Sequence, residues 1–440
     1  MIRRRHLLQA TAGILAAPAL VEKVGAQSAF DWKQAKGTKL EVNVQKSPRA
    51  DVLQARVKEF EELTGIKVGF EQIPEQQQRP KVAMEMATGR PSFDVVNVAM
   101  HVQKLLVERG KWMEDLRPYL ANPALTAPDF DFADFGPAGI KVATGPDGKL
   151  NVLPMNQDLF ILFYNKEMFA AKGLSVPKTW AELIDAAQKL ADPAKGVYGF
   201  VGRGLKNANV VLFDQILLGF DQDTITADNK KLLTDTDNAI AAGKIYQTLI
   251  KDLAPPGAIG FNWNECQTTF SQGRAARWVD GIGFSAPLVD KTKSKIAEVV
   301  GFAPPPGGPK GRFSATFIEG MGVAAGSKNK TGAWLYAQWA SGKGVMNEYL
   351  RSGSGTPPRS SPYKIAEIIK ASPFKQDWFD TTVECLKIAR PGLPIILPVT
   401  EFRDTLGVGL TNIAGGADVA TELKKATAAF QPVLDKSQEG

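Results

Sequence analysis

The run FSQGRAARWVDG, Phe270 to Gly281, holds residues whose types and spacing suit contact with a polyhydroxylated molecule. It reads as the end of a helix, a glycine stop and a short strand closing on an aspartate. Alternate side chains of a strand share a face, so Trp278 and Asp280 project together. An aromatic plate beside a carboxylate offers a surface for C–H groups and an acceptor for hydroxyls. Asp158 suggests the same chemistry from a second extended run, LNVLPMNQDLFILFYN, where it stands between Met155 and Phe160. A strand with a purely structural task would be apolar at that point. The structural alternatives are a core tryptophan at 278 and an Asx turn at Asp280 before glycine.

Other chemistries find little material. Cys266 and Cys385 are the two cysteines, too few for a cysteine zinc cage or a disulfide framework, and either a mutual disulfide or two separate buried thiols would accommodate them. Beyond His6 the sequence has one histidine, His101, which a Ser-His-Asp triad would have to use and which reads more simply as structural. Gly199, Gly202 and Gly204 miss the G-x-G-x-x-G spacing, and no GK[ST] phosphate loop occurs. No cofactor and no metal are expected.

The elements that must position these residues follow an α/β rhythm. KLEVNVQ, Lys39 to Gln45, alternates as a strand. A helix capped by Asp51 follows, with Leu53, Val57, Phe60 and Leu63 at helical spacing and Gly65 as its stop. IKVGFEQI is the next strand, Arg79 to Ala87 the next helix, and FDVVNVAM, Phe93 to Met100, a buried strand. Open α/β sheets bind ligands beyond the carboxyl ends of their strands, which makes Gln45 and Asn97 candidates, with loop capping as their plain alternative. A second α/β series has helices at Thr179 to Leu190 and Asn238 to Leu253, strands near Tyr198 and Ala275, and a loop at Pro304 to Arg312. With 440 residues, 44% of them hydrophobic, the chain is long enough for two lobes with a core each.

The first residues differ from the rest. Arg3, Arg4 and Arg5 precede the apolar run ATAGILAAPAL and small residues at Val24, Gly25 and Ala26, which reads as a secretory signal at 1–26. RRRHLLQ resembles the twin-arginine export signal. No cysteine follows it to take a lipid, so a free protein of the bacterial periplasm is expected. From a formal +7, loss of Arg3, Arg4, Arg5 and Lys23 with Glu22 leaves +4, scattered among acids, which is no nucleic-acid footprint.

Four segments in order resemble the extracellular solute-binding proteins of carbohydrate ABC importers, the family that includes maltose-binding protein. They are VKEFEELTGIKVGFEQI, FYNKEMFAAKGLSVPKTWAEL, FSQGRAARWVDG and GMGVAAGSKNKTGAWLYAQWASG, within a match from about Lys39 to Pro362. The resemblance implies a type II clamshell in which each lobe is a mostly parallel sheet flanked by helices. It implies an N-terminal lobe of 27–157 and 323–355 and a C-terminal lobe of 158–322 and 356–440. The chain would cross between lobes near Gln157 to Phe160, Met321 to Ala325 and Ser354 to Pro357, and close on ligand about a hinge.

By the same resemblance Asp158 faces the cleft, Trp263 matches a cleft aromatic, and Asp280 with Trp278 falls at a polar strand end. Glu319 lies beside the hinge. GVYGFVGRG with Arg203 and GTPPRSS with Arg359 resemble members that take monosaccharides or polyols. The implied role is a non-enzymatic, monomeric binding protein that delivers a small carbohydrate or polyol to an inner-membrane ABC permease. Two rivals stand beside it: a periplasmic carbohydrate-active enzyme with carboxylates about 5 to 10 Å apart, and the same fold holding an anionic sugar derivative through its arginines.

Overall fold

The computed structural model of the protein describes residues 29–145 and 147–438, so the expected export signal lies outside the described residues. Among the described residues eight strands form one continuous sheet: β1 (Lys39–Gln45), β2 (Lys67–Ile73), β3 (Val95–Ala99), β4 (Leu153–Asn165), β5 (Arg277–Gly281), β6 (Val300–Ala303), β7 (Ser314–Val323) and β8 (Ala389–Pro391). Their order is β2-β1-β3-β7-β4-β5, with β6 beside β4 and β8 beside β7.

β1 pairs in parallel with β2 and β3, as alternating strands and helices require. β7 runs antiparallel to β3 and to β4, because β7 arrives from the second core while β4 leaves the first, neither through a helical crossover. In the second half of the molecule β5 and β6 pair antiparallel with β4. Parallel pairing there takes the form of bridges from Tyr198 to Ala275 and from Val201 to Trp278, and of the short β7–β8 ladder.

The apolar side chains divide between two regions. Val42, Phe60, Val95, Met155, Ile318, Met321, Val323 and Trp334 pack in the first. Phe160, Leu162, Phe213, Val279, Ala315 and Phe402 form one face of the second, and Leu159, Ile161, Phe163, Trp278 and Trp378 the other. β4 therefore changes core between Met155 and Leu159. β7 changes core between Ala315 and Ile318, upstream of the expected Met321 to Ala325, because its alternate residues from Ile318 onward already pack against β3 and β4. The third passage is pinned to the first: Thr356 N–H donates to Asn156 Oδ1 at 2.9 Å and its carbonyl accepts from Gln157 N–H at 3.0 Å.

Local sequence explains the ends that matter. The helix after β1 starts at Pro48 with Ser47, not Asp51, as its cap, since proline suits the first helical position and Ser47 Oγ accepts from Ala50 N–H at 3.2 Å. It breaks at Arg56, and its continuation Val57–Thr64 stops at Gly65, where φ is 70°. Asn262 and Glu265 form a capping box at the start of helix Trp263–Ser271, which leads through Gly273 into β5.

Candidate functional site

Asp158 lies on β4 between the two cores, opposite Phe317 of β7. Its Oδ1 accepts from Gly283 N–H at 2.9 Å and from Leu159 N–H at 3.1 Å. The turn after β5 must be glycine-rich to admit it: a Cβ on Gly281 would stand 2.5 Å from Asp158 Oδ2. Burial pushes the Asp158 carboxyl up to about 6, with Asp280 adding to the rise, while the Gly283 N–H, Arg49 and Arg203 oppose it.

Asp280, two residues after Trp278, is fully buried. Arg203 holds it in a two-point pair, Nε to Oδ2 at 2.8 Å and Nη2 to Oδ1 at 2.5 Å. Trp278 Nε1–H donates to Oδ2 at 3.1 Å and Gly281 N–H to Oδ1 at 2.8 Å, so every direction of this carboxylate is in use. The alternation read from WVDG is correct, but it directs the indole N–H at the acid. Trp278 has no exposed surface and stacks between Phe163 at 4.9 Å and Phe284 at 5.6 Å. It is therefore a support, and the open plate of the series is Trp263, 39% exposed and stacked on Phe284 at 4.9 Å with an 8° tilt. Arg203 lies over Phe284 and Phe160, 5.6 and 5.9 Å from the ring centres.

From the first core come Arg49, Arg79 and His101, none of which the sequence reading selected. Arg49 donates to Glu319 Oε2 at 2.7 Å across 270 residues of chain. Burial works to raise the Glu319 carboxyl, yet Arg49, by charge and by its hydrogen bond, with Arg79 holds it below the usual range. His101 follows β3 and meets Phe317 edge-on at 5.5 Å. Arg403, on helix Val399–Ala414, faces both His101 and the buried Asp214. A sequence signal existed for His101, the residue just past a strand's carboxyl end, but its rarity drew a structural reading. Arg49 carried no local signal, because its partner comes from a strand far along the chain.

Three expected ligand residues are engaged elsewhere. Asn97 is buried and donates to Met155 Sδ at 3.2 Å and to the Gly320 carbonyl at 3.3 Å, tying β3 to its neighbours. Gln45 is buried and reaches Gln78 at 3.4 Å, itself bonded to Asn43 and the Asn97 carbonyl. Arg359 is fully buried and donates to the carbonyls of Ser341, Asp131 and Phe130 at 2.8, 2.9 and 2.8 Å, while Asp134 lies 3.5 Å away. The rings of Phe135 and Phe130 lie on adjacent sides of it, at 3.9 and 4.8 Å, with their own centres 5.9 Å apart. Its donors are spent on the third passage, which explains why an arginine in a Pro-rich loop is needed there.

Asp158, Glu319, Asp280 and Asp214 thus interleave with Arg49, Arg79, Arg203 and Arg403 along one series of electrostatic contacts. The arrangement can donate and accept hydrogen bonds at many points, with Arg49 and Arg203 each held by an acid. Among the described residues no cluster of His, Cys, Asp and Glu suits a metal ion, and no helix is long and apolar enough to cross a membrane.

Comparison with known proteins meets this geometry. Residues 46–347 match the family described as bacterial extracellular solute-binding protein. The erythritol/L-threitol-binding protein of Mycolicibacterium smegmatis is 26% identical over 425 residues, covering 90% of this chain and 86% of the relative. The mannitol-binding protein of Pseudomonas aeruginosa is 27% identical over 364 residues, covering 79% and 77%. A ribitol complex of an ABC transporter solute-binding protein from Agrobacterium radiobacter has the same fold, with a TM-score of 0.80 at 23% identity over 91% of this chain and 99% of that one. With a family match over more than half its length and two cores joined by long shared strands, the chain belongs to the bacterial extracellular solute-binding proteins.

Proposed function

We propose that this chain captures a small neutral polyol or monosaccharide between its two lobes in the periplasm and delivers it, without chemical change, to an ABC permease. The carrying observation is charge balance: Arg203 is neutralised by Asp280 and Arg49 by Glu319. A sugar acid or sugar phosphate bound by Arg203 or Arg49 would have to compete with these acids, which weighs against the anionic alternative. The paired-carboxylate enzyme is disfavoured too, since Asp280 has no open oxygen with which to act as nucleophile or base. Relatives that bind erythritol, mannitol and ribitol support the polyol class.

In this reading Asp158, Glu319, Arg49 and Arg203 supply hydrogen bonds to hydroxyls, and Trp263 lies along the C–H side. Asp280 and Trp278 orient Arg203. The first lobe comprises 29–157 with the stretch from Ile318 to about Gly355, and the second lobe the remainder, following the cores. A ligand touching both lobes favours closure only by the contacts it gains there. Titration calorimetry against erythritol, ribitol, mannitol, maltose and glycerol phosphate tests the proposal. Saturation at one equivalent by an alditol, recovered unaltered, is the expected result. Turnover of the sugar, or a response to glycerol phosphate alone, would overturn it.

A further inference from the structure

We infer that Phe284 is a positioning residue of this site, whose ring holds the Arg203 guanidinium and the Trp263 indole in one fixed arrangement before a ligand arrives. The inference rests on the polyol-binding reading above, in which those two groups meet the ligand. A closed circuit of contacts carries it. Asp280 accepts from Arg203 at 2.8 and 2.5 Å and from Trp278 Nε1–H at 3.1 Å. Trp278 stacks on Phe284 with ring centres 5.6 Å apart, and the Arg203 guanidinium lies over Phe284 at 5.6 Å, which closes the loop. Trp263 branches outward from it, stacked on Phe284 at 4.9 Å with its other surface 39% exposed.

The backbone around Phe284 is tied from two sides. Gly283 N–H donates to Asp158 Oδ1 at 2.9 Å, and the Phe284 carbonyl accepts from Gln267 Nε2 at 2.9 Å. Gln267 stands one turn after Trp263 on helix Trp263–Ser271, so the helix face that presents the indole also grips the residue behind it. The turn Ile282–Phe284 thereby joins Asp158, Arg203 and Trp263, which come from three separate elements. Groups already held in their bound positions cost a ligand no ordering, whereas a loose arginine and an unsupported indole would have to be fixed at the expense of affinity. An aliphatic side chain at 284 offers neither a flat face for Trp263 nor a π-system for Arg203; tyrosine offers both.

The test is titration calorimetry of the mature protein with an alditol that wild type binds, beside urea denaturation of the same samples. Phe284→Leu is expected to bind about 30-fold more weakly, and Phe284→Tyr to stay within about threefold of wild type. Phe430→Leu, which removes a ring packed on Phe402 in the second core, is the control: it is expected to lower stability and leave affinity unchanged. Because Phe284 acts through Trp263, Trp263→Leu combined with Phe284→Leu is expected to lose less affinity than the product of the two single losses. Should Phe284→Leu not fold, Gln267→Leu decides, since it cuts the tie to the Phe284 carbonyl and leaves every ring in place; about fivefold weaker binding is expected. Wild-type affinity in a folded Phe284→Leu, or in Gln267→Leu where that variant decides, overturns the role of Phe284 alone. A loss that tyrosine does not rescue, or single losses that simply multiply, overturns it equally. Absence of any alditol binding by wild type overturns the polyol reading and this inference with it.

Discussion

Arg203 and Arg359 invite comparison. Both sit in short glycine- or proline-rich loops, both are largely covered, Arg359 fully and Arg203 with 13% of its side chain exposed, and both lie against two aromatic rings. Arg359 spends its donors on three backbone carbonyls brought together from Phe130, Asp131 and Ser341. Arg203 spends its donors on one side chain, Asp280, at the mouth of a strand. Backbone carbonyls cannot move aside without unfolding what carries them, so the first arginine is a rivet. A side-chain pair can share its donors with a newcomer, so the second is free to take part in binding. Burial and loop composition do not separate the two; the identity of the acceptors does.

The largest expected effect breaks the contrast from the structural side. Arg359→Ala leaves three carbonyls without their donor and removes the guanidinium packed on Phe130 and Phe135, at an expected cost of about 3–5 kcal/mol in urea denaturation. The fraction that stays folded is expected to keep its ligand affinity. Intact stability with lost binding would reverse the roles assigned to the two arginines.

Arg203→Ala sharpens the contrast from the other side. It removes a ligand donor and strands a buried carboxylate, so calorimetry should show about 100-fold weaker alditol binding and melting a loss of about 2–3 kcal/mol. Adding Asp280→Asn is expected to restore most of the stability and none of the affinity. Recovery of both together would mean that Arg203 acts on the fold alone.

Asp158→Asn should have the smallest effect on binding and an opposite sign in stability. The folded carboxyl titrates at about 6, above the ordinary value near 3.9, so the folded state binds the proton more tightly than the unfolded chain. That contribution is full below about pH 4 and is lost as the pH rises through about 6. The asparagine variant is therefore expected to be more stable than wild type at pH 8 by up to about 3 kcal/mol, with the gap closing toward pH 4 in melts across that range. Alditol affinity is expected to fall about tenfold at pH 8. A gap that does not change with pH would refute the buried-acid account of Asp158.

Elements whose partners are close in sequence were legible. β1 begins and ends where KLEVNVQ does, Gly65 stops its helix, and the alternation in WVDG puts Trp278 and Asp280 on one face. Asp158 stood out because polarity inside an apolar run has to be explained by what surrounds it. Burial depth was not legible: the same alternation fits an indole that faces solvent and one stacked under Phe284. Nor were pairs set by long loops, such as Arg49 with Glu319 or Arg359 with the Phe130 carbonyl, since local sequence cannot say which distant segment the sheet order brings near. The shift of the β7 passage to Ala315–Ile318 has the same origin, because register against β3 and β4 decides where a long strand changes core.

Cys266 and Cys385 are separate free thiols, each wholly buried. Burial pushes both thiols above their ordinary range, leaving almost no thiolate to react. A cysteine engineered on the surface would then be the single nucleophilic thiol of the native protein. Placed beside the exposed face of Trp263, which the proposed function sets along the ligand, it would accept one dye, and the protein could be made to announce its own ligand by fluorescence without first having its natural cysteines removed.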